Sequence, residues 1–263
     1  MKPNYKNWVP AGMVAGFWTG TVIAFVSAGV FAALGFAKGL KWAVVLFAVF
    51  AFVGAVLCVI GAFMQTWHNA FSYNGKRKMS KGIVEGIAEY LYLPEGGACL
   101  DVGCGSGALT IAIAKRNPKC KIVGCDRWGL DYASFSKTLC ENNARAEGVE
   151  NVSFEAGDAC KLPYPDERFD AITSNYVYHN IPSKDRQSIL LESLRTLKKG
   201  GTFVIHDLFT KQKYGDMQGF IKKLKDLGYE KAELIDTTKG VFMSESEAKR
   251  LFLSGSAILL GKK

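Results

Sequence analysis

Two long stretches without a charged residue constrain this chain more than any other feature. Val9 to Ala37 runs 29 residues and Trp42 to Met64 runs 23 with no Asp, Glu, Lys or Arg. About 20 apolar residues rising ~1.5 Å each suffice to cross a hydrocarbon core of ~30 Å. Each stretch is therefore expected to be a transmembrane helix, with spans at about residues 10–36 and 42–64. A buried helical hairpin in a soluble protein is the competing reading. A cleaved signal sequence fits less well, because its apolar core is shorter and is not followed at once by a second span. Only a short turn around Gly39 separates the stretches, so the two helices must run antiparallel.

Lys2 and Lys6 precede the first stretch, Lys38 and Lys41 lie in the turn, and Lys76, Arg77, Lys78 and Lys81 follow the second. The basic excess on the terminal side points to an integral protein of a bacterial-type inner or plasma membrane, with both termini and the following domain in the cytoplasm. Trp8, Trp42, Trp67 and Tyr73 fall near the expected boundaries, where amphipathic rings prefer to sit. Gly12, Gly16 and Gly20, four apart, offer a close-packing face for the partner helix or for a second copy in a homodimer.

The formal net charge of +9 is not a nucleic-acid signature. Residues 1–75 carry four lysines and no acid, and the densest basic cluster, KRKMSK at Lys76–Lys81, directly follows the second span. A cluster in that place reads as a contact with anionic lipid headgroups. Seven scattered cysteines without a CxxC pair read as reduced residues of a cytoplasmic domain, not as a disulfide framework or a zinc site.

The chain divides into a hairpin at 1–66, a basic juxtamembrane linker at 67–82 and a domain at 83–263. From about Met79, strand and helix signals alternate: a helix Lys81–Leu93 ended by Pro94, a strand ACLDVG, a helix GALTIAIAKR, a strand KIVGCD and a long helix Leu130–Glu147. Strands NVSFEAG and FDAITSN, a helix Lys184–Leu197, a glycine break at Gly200 and Gly201, a strand TFVIHD and a last helix with strands ELIDT and SAILLGKK follow. Such alternation implies an α/β fold with a doubly wound, mostly parallel sheet. A ligand then sits beyond the carboxyl ends of the strands, where the winding reverses.

The sequence LDVGCGSGALT, from Leu100 to Thr110, falls on the first strand-to-helix turn. Gly103 and Gly105 allow a sharp turn that brings backbone N–H groups near a ligand, and Gly107 allows close packing of the next helix. Asp126 ends the second strand, 23 residues after Gly103, where an acid accepts hydrogen bonds from ribose hydroxyls. The glycines alone also satisfy the dinucleotide pattern GxGxxG/A. Asp101 within the first strand, and Asp158 in the GDA that follows the third, separate the two readings.

With these residues together, positions 80–263 resemble the class I S-adenosylmethionine-dependent methyltransferases. The resemblance rests on DVGCGSG, GCD, GDA, FDAITSNYVYHNI and LKKGGTFVIHD in the family's order. It implies a seven-stranded sheet with two final antiparallel strands, and S-adenosylmethionine as cofactor. It places Asp101 and Gly103 through Gly107, Cys104 and Gly105 included, near the methionine part. Asp126, with neighbouring Arg127, would hold the ribose, Asp158 and Ala159 would meet the adenine, and Asn175, at the end of the fourth strand, is a further cofactor-binding candidate. Within the family the chain looks most similar to a small-molecule branch that includes quinone C-methyltransferases.

An activated sulfonium methyl needs positioning more than acid–base help, and a base only when the acceptor loses a proton. Tyr178 and His179, after the fourth strand, and His206, ending the fifth beside Asp207, are the catalytic candidates. His206 reads more readily as structural, and no metal is expected. The segment between the fifth and sixth strands is barely long enough for one helix, so no large insertion covers the site. An acceptor that lives in the membrane, a lipid or a quinone, would suit a site tethered to it. A dinucleotide-dependent reductase, and a protein that binds S-adenosylmethionine without converting it, are the competing functions.

Overall fold

The computed structural model describes residues 2–129 and 134–263. Two compact units emerge, Lys6–Ser80 and Lys81–Lys263, the second including the N-terminal stretch that ends at Tyr5.

The first unit is the hairpin of α1 (Ala11–Lys38) and α2 (Lys41–Phe71). Both are long and apolar enough to cross a membrane. Its buried positions are mostly small: Thr21, Ala24, Ala28 and Gly35 on α1, and Ala43, Gly54 and Gly61 on α2. Small residues let helix backbones approach, and a Cβ on Gly54 would come within 3.0 Å of the Phe25 ring. Gly20 belongs to this internal packing, since a Cβ there would meet Leu57 at 3.2 Å, whereas a Cβ on Gly12 or Gly16 would meet nothing within 4 Å among the described residues. Large apolar side chains such as Phe36, Phe52 and Val22 point outward and are exposed.

α2 continues seven residues beyond Met64. Polar residues extend it by helical bonding, Thr66 Oγ1 donating to Ala62 O and Gln65 Nε2 to Asn69 Oδ1. The hydrophobic run ends before the backbone ladder does. The stretch read as a linker, residues 67–82, is thus helical at both ends, because α3 (Met79–Tyr90) begins before it finishes.

The second unit is a seven-stranded sheet of order β3-β2-β1-β4-β5-β7-β6. The strands are β1 (Ala98–Val102), β2 (Lys121–Asp126), β3 (Val152–Ala156), β4 (Phe169–Asn175), β5 (Leu197–Leu208), β6 (Lys231–Asp236) and β7 (Ser256–Lys262). β1 pairs in parallel with both β2 and β4, so the winding reverses at the carboxyl end of β1. β6 and β7 form the expected antiparallel pair, and β7 alone runs against the rest of the sheet. Leu100, Ile172, Phe203, Ile205 and Leu259 are fully buried at its centre.

The remaining helices are α4 (Ala108–Arg116), α5 (Lys137–Ala146), α6 (Arg186–Arg195), α7 (Lys211–Tyr214), α8 (Met217–Asp226) and α9 (Glu245–Arg250). Three boundaries differ from the sequence reading. α5 starts at Lys137, not Leu130, because the Ser136 hydroxyl accepts the Leu139 amide as an N-cap; Leu130–Ala133 lie outside the described residues. The glycine break at Gly200 is absorbed into β5, where Leu197 stands opposite Phe169 and Thr202 opposite Ala171, so the extra residues bulge out. Two helices, α7 and α8, fill the segment read as having room for one.

Candidate cofactor site and histidine–aspartate pair

The polar residues singled out for the cofactor and acceptor site, Asp101 included, lie at or just beyond the carboxyl end of β1, β2, β3, β4 or β5. At the end of β1 the chain enters left-handed backbone at Gly103 (φ 72°) and Gly105 (φ 56°), a region closed to most side chains. A Cβ on Gly103 would collide with Val177 at 2.3 Å, whereas one on Gly105 would meet nothing within 4 Å among the described residues. The first glycine thus permits a tight fit, and the second borders open space. Gly103 N and Cys104 N both donate to Cys125 O, tying the turn to the end of β2.

Asp126 holds this turn with its side chain. Its Oδ2 accepts from Gly105 N at 2.8 Å and its Oδ1 from Trp128 N at 2.8 Å, while Trp128 Nε1 donates to Gly105 O at 3.1 Å. A carboxylate offers about four acceptor positions, so two remain for ribose hydroxyls. Arg127 beside it is exposed. Asp158 is also exposed and its Oδ1 accepts from Cys160 N at 2.8 Å; neighbouring Ala159 is half-buried.

Asp101, one residue before the end of β1, turns its side chain inward. It is buried beneath the turn, with Thr110 Oγ1 donating to Oδ2 at 2.6 Å and Thr173 Oγ1 to Oδ1 at 3.3 Å. Burial pushes its carboxyl up to about 7. It braces β1 against α4 and β4. Cys104 is buried too, and desolvation pushes its thiol up.

At the ends of β4 and β5 the structure sorts the three catalytic candidates into different roles. Tyr178 is wholly buried and its hydroxyl donates to Ser193 Oγ at 2.9 Å, inside the core. The reading of Tyr178 as catalytic is corrected accordingly: a core hydroxyl satisfied by α6 does not face an acceptor. His206 is also fully buried, with Nδ1 2.9 Å from Asn175 Oδ1 and Nε2 3.0 Å from Thr237 Oγ1. Desolvation pushes its imidazole down to about 3, so the ring stays neutral with both nitrogens engaged. His206 is structural, and Asn175 is its partner.

His179 differs. It lies on a single 3-10 turn, Tyr178–Asn180, with its side chain 14% exposed, and Nδ1 stands 2.5 Å from Asp207 Oδ1. Asp207 is completely buried and also accepts from Tyr178 N at 2.9 Å, His179 N at 3.3 Å and Leu208 N at 2.6 Å. A carboxylate only accepts, so Nδ1–H is the donor in this pair. That is the arrangement of an oriented base. In the sequence Asp207 stands beside His206 among the candidates at the end of the fifth strand, with nothing to pair it with His179. Its role depends on the register of β4 against β5, which pairs Asn175 with His206 and leaves the next residue to the β4 loop.

Nearby, Tyr176 takes a left-handed conformation (φ 55°) and sets its ring 4.5 Å from that of His206. The Tyr214 hydroxyl on α7 is the one buried side-chain polar atom without a hydrogen-bond partner among the described residues. Among those residues no group of three or more His, Cys, Asp or Glu is gathered as for a metal.

The methyltransferase-domain family matches residues 93–254, more than half of the chain. The chain belongs to that family. The demethylmenaquinone methyltransferase of Geobacillus stearothermophilus is 30% identical over 146 residues, which cover 55% of this chain and 58% of that protein. The enzyme of the same name from Bacillus subtilis is 30% identical over 131 residues, covering 50% and 54%. The chain thus spans about half the length of the curated relatives it matches. Among solved structures, the [4+2]-cyclase SpnF aligns with a TM-score of 0.54 at 21% identity, covering 70% of this chain and 81% of that one. Geranyl diphosphate methyltransferase in complex with S-adenosylmethionine aligns at 0.54 and 14% identity, covering 69% and 84%. These likenesses share the fold, and the cyclase shows that the fold alone does not fix the reaction. Family and fold together make this a methyltransferase domain on the class I fold, and the geranyl diphosphate methyltransferase was solved with S-adenosylmethionine bound. The residues present fit that group: a glycine turn bordering open space, and Asp126 with acceptor positions to spare. The dinucleotide reading falls away with the family match.

Proposed function

We propose that the protein is a membrane-anchored methyltransferase that methylates a small, lipid-like acceptor, an isoprenoid quinone being the leading class. The observation that carries this is the union, in one chain, of a methyltransferase domain with two apolar helices of spanning length. The exposed Phe and Val side chains around the hairpin support a lipid setting over burial in a soluble core. Relatives named for demethylmenaquinone support the quinone class. The lysine-rich flanks support a domain on the cytoplasmic side of an inner or plasma membrane. Gly12 and Gly16, left open by the hairpin's own packing, would serve a second copy.

S-adenosylmethionine supplies an activated methyl group when bound. In this reading the Gly103–Gly107 turn seats its methionine part, Asp126 binds the ribose, and Asp158 with Ala159 borders the adenine. Asp101, locked beneath the turn, holds β1 in place. His179 takes the acceptor's proton at Nε2 as the new bond forms, and Asp207 fixes the ring and stabilises the imidazolium. A positioned base of this kind contributes roughly 10²–10⁴-fold. The test uses full-length protein in lipid nanodiscs with S-adenosylmethionine and a demethylated isoprenoid quinone held in its quinol form by an added reductant, since an electrophilic methyl needs an electron-rich acceptor carbon. Methylated quinone by mass spectrometry is expected from the wild type, at a rate lowered at least 100-fold by His179→Ala. Turnover unaffected by that substitution would remove His179 from the chemistry, and no methylated quinone would remove the acceptor class.

A further inference from the structure

The cofactor turn is held from a second side, by the N-terminal end of the chain. Ser106 lies between Gly105 and Gly107 and is 6% exposed. Its carbonyl accepts from Asn143 Nδ2 at 2.9 Å, and its hydroxyl donates to Tyr5 O at 3.0 Å. Asn143, on α5 and 2% exposed, turns its amide on Asn4 as well. Oδ1 accepts Asn4 N at 2.7 Å and Nδ2 donates to Asn4 O at 3.0 Å. The side-chain amide thus pairs with residue 4 as a neighbouring strand would, and spends its other N–H on the glycine turn. Tyr5 is buried, and its hydroxyl donates to Glu147 Oε1 at 3.0 Å; Glu147 in turn meets Lys115 of α4.

We propose that Asn4 and Tyr5 form a strap which, through Asn143, positions the cofactor turn, making residues outside the matched methyltransferase segment part of the binding machinery. The inference rests on the cofactor reading of that turn. Asn4 and Tyr5 are positioning residues, acting through Ser106. A buried amide or hydroxyl that loses its partner is destabilised and seeks another, so without the strap Asn143 and Ser106 rearrange and the turn is no longer pre-formed for its ligand. The strap immediately precedes the hairpin unit in the chain, and Ala11 opens α1 six residues after Tyr5.

The test measures binding of S-adenosylhomocysteine, and the steady-state constants for S-adenosylmethionine and acceptor, in full-length protein in nanodiscs. The variants are Asn143→Ala, Asn4→Pro, which removes the N–H given to Asn143, and a deletion of residues 2–5. Each is expected to raise the Kd for S-adenosylhomocysteine and the KM for S-adenosylmethionine about tenfold, the scale of one buried hydrogen bond. kcat and the acceptor KM stay unchanged, which a general loss of folding would not produce. Combining Asn143→Ala with the deletion adds little further, because both break one network. Asn4→Pro alters no residue of the domain core, so it remains informative if Asn143→Ala fails to fold. An unchanged Kd in Asn4→Pro and in the deletion, with a wild type that binds, overturns the strap. A wild type that does not bind overturns the cofactor reading instead.

Discussion

The two halves of the site are built differently. At the ends of β1 and β2 the chain's own backbone does the shaping: Gly103 and Gly105 hold left-handed conformations, and Asp126 takes the Gly105 amide. At the ends of β4 and β5 the shaping comes from side chains that meet across strands, His179 with Asp207 and Asn175 with His206. Backbone conformations that exclude most side chains leave a mark in the sequence. Cross-strand pairs leave almost none, since either histidine could stand as base until the register is known. A cofactor half of this kind can be shared by enzymes and non-methylating relatives, while the acceptor half sets the reaction.

The sharpest way to break the contrast is Asp126→Ala. It removes the acceptor for the Gly105 amide and the proposed ribose partner together, and S-adenosylmethionine affinity by calorimetry is expected to fall at least 100-fold, the worth of charge-assisted bonds lost in one step. On the acceptor side, Asp207→Asn is expected to lower kcat by roughly 10²–10³-fold while cofactor Kd stays within about twofold, because it disorients His179 without touching the turn.

Asp101 gives a pH-dependent prediction with a definite sign. Its folded value, near 7, lies above the ordinary 3.8, so the folded state holds its proton more tightly than the unfolded state. Its contribution to stability is full below about pH 4 and is lost as pH rises toward 7, on the order of 4 kcal/mol in all. Asp101→Asn is expected to flatten the melting temperature across that window. His206 acts oppositely: its folded value near 3 lies below 6.5, so its contribution is full above pH 6.5 and is lost as pH falls toward 3. A melt series on His206→Gln, expected to lose the acid-side slope, separates the two. The smallest effect concerns the hairpin. Gly12→Ile with Gly16→Ile is expected to leave turnover unchanged and to abolish any dimer seen by crosslinking, since these positions border open space.

The sequence disclosed the strand order's elements, the two apolar helices and the glycine turn, because each follows from a local rule: strand alternation, uncharged length, or glycine where φ must be positive. It did not show that Asp101 is also a buried brace, since a motif acid and a brace look alike until Thr110 and Thr173 are seen to enclose it. α2 outran its hydrophobic run because helix ends follow hydrogen bonding rather than polarity. α5 began late because Ser136 is a stronger start signal than the apolar residues before it. The strap was illegible for a plainer reason: the Asn143 side-chain amide meets Asn4 across 139 positions, through main-chain groups of residue 4 that every residue but proline carries in full. Cutting the chain at residue 80 therefore removes the strap along with both helices. Loss of activity in such a piece would not by itself report on the membrane.

The most direct test of the central claim places full-length protein in nanodiscs with methyl-labelled S-adenosylmethionine and a total extract of host cells, and follows label into organic and aqueous phases. Label in the organic phase, absent with Asp126→Ala, is the predicted result. Label confined to the aqueous phase, or its appearance with Asp126→Ala as with the wild type, would contradict a membrane-anchored methyltransferase acting on a lipid-like acceptor.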